Sequence, residues 1–293
     1  MNRLPHTETR QTIFLPLLTS VLLVACSTGK SRELQAEPTA AEQTGVETTT
    51  PILAESKPVL RDIALKPKML LIESPIAPKT FGERTATPVE IDTVVVHFAS
   101  AIYWFDPSFQ KLLAENPELG KEGREHAAKI GLTPENLVNH KYDWQLVKAI
   151  FEIYGVSSHY AITRDGVVIR FVPDSKKAYH AGQSKMPTAD ARTGVNEFSI
   201  GIELLASHPS DDPTVKTPED AYTPAQYQAL QYLMRRLCAE HGINYVVGHD
   251  EIAPGRKNDP GPLFQWDQIR NTDYSPTGCD GAVGINPQHN TRD

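Results

Sequence analysis

The sequence predicts an α/β domain, a mixed central β-sheet flanked by α-helices, on three observations. The run Thr93-Val94-Val95-Val96-His97-Phe98 is almost wholly β-branched or aromatic, as in a strand buried on both faces. From Tyr142 to Tyr154 apolar residues recur at helical spacing (Trp144, Val147, Ile150, Phe151, Tyr154), which marks an amphipathic helix. His159–Thr163 and Val167–Val172 flank Arg164-Asp165-Gly166, so they read as a hairpin turning at Asp-Gly. Strands alternating with helices, with one hairpin among them, make a mixed sheet.

Taken in chain order, residues 1–25 resemble a secretory signal peptide. Arg3 and Arg10 precede an apolar run too short to span a bilayer, which ends in Leu23-Val24-Ala25-Cys26. That ending resembles a bacterial lipobox, so Cys26 is expected to carry the lipid and begin the mature chain, anchored at a membrane. Ser27 in place of Asp points to the outer membrane, facing the periplasm. Residues 26–57 are rich in Glu, Thr, Ala, Gln and Pro and read as a tether. Between residues 58 and 90 apolar residues return but prolines persist, which predicts an irregular, partly docked extension.

The folded domain is expected over residues 91–272, with a tail at 273–293. Its later elements are a strand over Phe198–Leu205, a helix opened by Thr223 as N-cap and Pro224 at its first position, a strand at Tyr245-Val246-Val247, and a short helix near Trp266–Arg270. Cys238 and Cys279 either pair in an oxidising compartment or leave Cys238 a buried thiol. The net charge of −7, without any run of basic residues, excludes nucleic acid as a partner. No protein partner is legible.

His97 and His249 stand at the ends of core strands, where side chains converge on pockets. Asp259 follows in a loop rich in Pro and Gly. Two imidazoles and a carboxylate suit a catalytic zinc site with its fourth position open. Spacing alone fits two core histidines and a loop carboxylate equally well.

Gly248-His249-Asp250-Glu251-Ile252-Ala253-Pro254-Gly255-Arg256-Lys257-Asn258-Asp259-Pro260-Gly261 resembles the signature of the zinc-dependent N-acetylmuramoyl-L-alanine amidases, the type 2 amidase family, which shares the peptidoglycan recognition protein fold. Val96-His97, Ser157-Ser158-His159-Tyr160, Ala178-Tyr179-His180-Ala181-Gly182 and Asn196–Leu204 extend the match in family order. The resemblance implies one Zn²⁺ at His97, His249 and Asp259, with Glu203 and Lys257 catalytic and His180 lining the substrate groove. It implies hydrolysis of the amide between N-acetylmuramic acid and L-alanine in peptidoglycan or muropeptides, during wall turnover or recycling.

Each role is chemically apt: a carboxylate to move protons, an ammonium beside a developing oxyanion. His159 reads as a core or supporting histidine. Phage relatives have a tyrosine where Ser158 stands and a cysteine where Asp259 stands, so the chain resembles the glutamate-using branch. Relative to the family, residues 99–140 are an insertion beside a metal ligand. The alternative is a recognition module that binds peptidoglycan without cutting it, though such modules commonly lack a full metal triad. A protein-cleaving zinc peptidase is disfavoured because His-Glu-x-x-His is absent.

Overall fold

The computed structural model describes residues 69–85, 90–189 and 191–270. The leader, Cys26, the tether, part of the 58–90 extension, Cys279 and the tail lie outside the described residues.

A short strand, β1 (Leu71–Glu73), is followed by a 3-10 turn and β2 (Phe81–Glu83). The predicted valine-rich strand is β3 (Thr93–Ala99). The following polar stretch holds α1 (Pro107–Glu115), α2 (Lys121–Lys129) and α3 (Leu137–His140). The amphipathic helix α4 (Trp144–Tyr154) starts at Asp143, whose carboxylate accepts from the Gln145 amide, and stops at left-handed Gly155. The hairpin is β4 (Tyr160–Ile162) and β5 (Val168–Arg170), and β6 (Lys176–Ala178) pairs with β2 outside the main sheet. Then come β7 (Ser199–Leu205), α5 (Pro218–Ala221), α6 (Pro224–His241), β8 (Tyr245–Gly248), α7 (His249–Ile252) and α8 (Asp267–Arg270). Thr223 caps α6 reciprocally with Gln226, in the place its sequence predicts.

The main sheet runs β1-β5-β4-β7-β3-β8, with only the β4–β5 pair antiparallel. It is the mixed sheet flanked by helices that the sequence predicts. Alternation along the central strands divides its two faces. Val94, Val96, Ile200, Ile202 and Leu204 pack against Leu230, Leu233 and Leu237 of α6. On the other face, Ala161, Ile169 and Leu205 meet Leu146, Val147 and Ala149 of α4. The rest of that second face, over β3 and β8, is met by Ile252 of α7 and by Ala181 and Met186 of the 180–186 loop.

The expected domain boundary at Ile91 needs correction, because β1 is a strand of the main sheet, parallel to β5. Polar side chains bind this early segment further. Glu152 of α4, buried, accepts from the amides of Ala77 (3.2 Å) and Gly120 (3.0 Å), joining the N-terminal segment to the 99–140 segment. Arg84, also buried, donates to the carbonyls of Asn196 (3.0 Å), Glu197 (2.8 Å) and Ser199 (2.9 Å). Burial lowers its pKa only to about 10, so it stays charged among those carbonyls.

Candidate metal and catalytic site

This part of the second face places the chemistry. His97 of β3 lies beside Glu203 of β7 in register, and Ser199, Gly201 and Glu203 alternate onto one face of β7. His249 is the first residue of α7, directly after β8, so it too arrives from a strand end. Two hydrogen bonds set the loop that carries Asp259: the Asp250 amide donates to the Asp259 carbonyl (2.8 Å), and the Tyr222 hydroxyl donates to the Pro260 carbonyl (2.6 Å). Gly248 makes this approach possible, since a Cβ there would stand 2.8 Å from Pro260 Cδ.

The three predicted ligands meet. His97 Nδ1 lies 2.9 Å from His249 Nδ1 and 2.8 Å from Asp259 Oδ2, and His249 Nδ1 lies 3.0 Å from the same oxygen. All three residues are buried. No placement of protons on this triangle satisfies every side. With both nitrogens protonated, two donors face each other at 2.9 Å; with fewer protons, at least one lone pair faces the carboxylate. A buried charge of this kind must be paired. Protonating His97 is no remedy: burial, then the neighbouring His249, lowers its pKa to about 4. A cation between the three atoms satisfies all of them at once, and two imidazoles with one carboxylate are a donor set that suits zinc. The residues present therefore fit a metal.

A second group, Asp174, Glu240 and His241, also brings ligand atoms within 4.8 Å of one another. There the Arg236 guanidinium already pairs with Asp174 (3.4 Å) and Glu240 (3.5 Å), so the negative charge is spoken for.

Glu203 is buried, and its pKa is raised well above the ordinary carboxylate value, first by burial and then by Asp259, with Lys257 opposing. A carboxyl that readily holds a proton beside a metal-capable triangle is equipped for proton transfer. Lys257 is exposed, two residues from Asp259 and near enough for its charge to act on both Glu203 and His97.

His180, which the resemblance places along the substrate groove, sits against the His97 ring. It is buried, and both ring nitrogens have protein partners: Nδ1 faces His97 Nε2 at 3.0 Å and Nε2 faces Ser199 Oγ at 3.1 Å. His159 matches the supporting reading. Its Nδ1 accepts from the Gly201 amide (3.0 Å), so Nε2 carries the proton and donates to the Lys176 carbonyl (3.1 Å). The Arg84 guanidinium at 3.1 Å is then a second donor facing that N–H, a contact and not a bond. Burial first, then Arg84, lowers the His159 pKa to about 3.

Among the described residues, Cys238 lies buried on α6 and is disulfide-bonded. No described helix is long and apolar enough to cross a membrane.

Comparison with known proteins adds a family. The sequence model described as N-acetylmuramoyl-L-alanine amidase matches residues 87–262. The 1,6-anhydro-N-acetylmuramyl-L-alanine amidase AmpD of Salmonella typhimurium is 43% identical over 117 residues, which are 39% of this chain and 56% of that protein. The N-acetylmuramoyl-L-alanine amidase AmiD of Escherichia coli is 40% identical over 123 residues, 39% of this chain and 43% of that protein. The chain thus spans about half the length of the curated relatives it matches. A crystal structure of an AmpD derivative shares 30% identity, covering 69% of this chain and 93% of that one with a TM-score of 0.44.

Two outcomes are expected of the isolated protein. Zinc added after chelation raises Tm, by an amount equivalent to about 4 kcal/mol at a thousandfold excess over Kd. His249→Ala removes that shift, and an unchanged shift would count against the triangle as the site. The second concerns acid. Above pH 7 the His159 ring is neutral whether folded or unfolded. As pH falls below 6.5 the unfolded ring takes a proton that the folded ring refuses until about 3, so stability is lost across that window. By about pH 5 the loss is about 2 kcal/mol. Denaturant unfolding at neutral and acid pH tests this: His159→Gln should shed that share of the acid sensitivity, and an identical pH slope in both proteins would refute it.

Proposed function

The chain belongs to the N-acetylmuramoyl-L-alanine amidase family, and from that premise we propose that it hydrolyses the amide joining N-acetylmuramic acid to L-alanine, in peptidoglycan or in muropeptides released from it, using one zinc ion held by His97, His249 and Asp259. One observation carries the proposal: a buried triangle of ligand atoms that only a cation satisfies lies beside a buried carboxyl of raised proton affinity. The relatives named for the 1,6-anhydro sugar favour fragments released during wall recycling as a substrate class.

When bound, zinc supplies Lewis-acid polarisation of the scissile carbonyl and acidifies water. Glu203 takes the proton lost by the attacking water as the new C–O bond forms. It then delivers that proton to the leaving nitrogen as the C–N bond breaks, so the carboxyl returns to its starting state. Lys257 offers an ammonium to the negative charge gathering on the carbonyl oxygen, an interaction stronger in the transition state than in the ground state.

The membrane part of the proposal rests on sequence. We place the lipid on Cys26, with the catalytic domain held at the outer membrane and facing the periplasm, where its substrate is made and turned over.

Products identified by mass decide the reading. Purified peptidoglycan or muropeptide should release free stem peptide, and chelator should stop the release. Glu203→Gln is expected to lower turnover about 10²–10⁴-fold with zinc still bound. Lys257→Ala should lower it about 10²–10³-fold. Bound but uncut glycan with the unaltered protein would point instead to a recognition module. Growth with an alkyne-tagged fatty acid tests the anchor: label should enter the full chain and be lost in Cys26→Ser, and label retained in that variant would overturn the assignment.

A further inference from the structure

Nothing in the proposed chemistry uses His180, yet its ring is buried against a metal-facing histidine and its position is unusually well determined. Gly201 leaves the space: a Cβ at that residue would stand 2.5 Å from His180 Cγ and 2.9 Å from its Nδ1, so the ring lies directly on the backbone of β7. The backbone beside it is pinned as well. The Asn196 side-chain oxygen accepts from the amides of both His180 (3.2 Å) and Ala181 (2.8 Å).

The protons along this arrangement can be assigned from groups that have only one possible role. The Val195 carbonyl can only accept, so the Ser199 hydroxyl donates to it at 2.6 Å. Ser199 has then used its hydrogen and must accept from His180 Nε2 at 3.1 Å. His180, neutral and protonated at Nε2, has a lone pair on Nδ1. That lone pair accepts from His97 Nε2 at 3.0 Å, which leaves the His97 Nδ1 lone pair aimed into the triangle. His249 reaches the same condition through the next residue. Its Nε2 donates to the Ala181 carbonyl at 3.2 Å, leaving Nδ1 free for the triangle. Arg256 donates to that carbonyl too, at 2.9 Å, and holds it in place.

We propose that His180 is a positioning residue for the zinc site: with the adjacent Ala181 carbonyl it fixes the tautomer of both metal-facing imidazoles, relaying the polarity of the Val195 carbonyl through Ser199 to His97. The inference rests on the zinc reading above. Outer partners of this kind, which orient a ligating histidine and make it more basic, commonly alter metal affinity 10- to 100-fold when lost.

The test measures zinc affinity by competition with a chromogenic chelator, alongside ¹⁵N shifts of the histidine rings in the metal-free protein. His180→Leu keeps the packing volume and removes the acceptor; its zinc affinity is expected to fall about 10- to 100-fold. His180→Asn puts an amide oxygen near the old Nδ1 position and is expected to recover most of that loss. Ser199→Ala, which preserves the strand, should give a smaller loss in the same direction. In the unaltered metal-free protein the His97 shifts should report a proton on Nε2, and in His180→Leu a mixture of tautomers. Equal zinc affinity in the parent and His180→Leu would overturn the inference while leaving the metal reading intact. So would a His180→Asn variant no better than His180→Leu. A parent that binds no zinc at all would overturn both. Should His180→Leu fail to fold, the Ser199→Ala affinity and the parent tautomer each decide the matter alone.

Discussion

Two imidazole nitrogens and a carboxylate oxygen held 2.8 to 3.0 Å apart inside a protein repel or misalign unless a positive charge joins them. Surroundings must hold three such groups together. Much of the local architecture here does so. Parallel pairing of β3 with β7 and β8 fixes where His97 and His249 leave the sheet. The bonds to the carbonyls of Asp259 and Pro260 fix the third member from the opposite side. The scaffold thus holds the three donor atoms in an arrangement that suits a metal.

The support extends far along the chain. Arg84, in the segment before the expected domain start, holds the carbonyls of Asn196, Glu197 and Ser199. Two of those residues serve the site from the other end: Asn196 through the amides of His180 and Ala181, Ser199 through the His180 ring. A cation embedded among carbonyls therefore stands one residue's width from the outer partners of the imidazoles. It contacts His159 as well, whose neutral ring ties β4 to β7 by accepting from the Gly201 amide.

Much of this was legible in the sequence, and what was not has a physical reason. The valine-rich β3, the Asp-Gly hairpin and the Thr-Pro start of α6 each carry a local signal, a period or a cap, that survives without tertiary context. His97, His249 and Asp259 were recoverable because strand ends and a distinctive loop motif mark them. β1 carried no such signal: three residues, Leu71-Ile72-Glu73, become a strand only because β5 offers a partner nearly a hundred positions later. β2 and β6, three residues each, are strands for the same reason. The place of His180 was hidden because it depends on which atoms its two nitrogens meet. One trace was available: Ser199 and Gly201, small residues on the same side of a strand as Glu203, leave a hollow that something must fill.

The position of β1 bears on how this domain can be handled in isolation. Strand β1 occupies one margin of the sheet, and β5 is flanked by it and by β4. A chain started at Ile91 would strip β5 of that neighbour and leave a row of backbone amides and carbonyls facing solvent, a surface on which other chains can template. Excising the domain at the boundary its sequence suggests would therefore create a sticky rim and remove Arg84 in the same cut. Clumping and weakened metal retention would then share one origin.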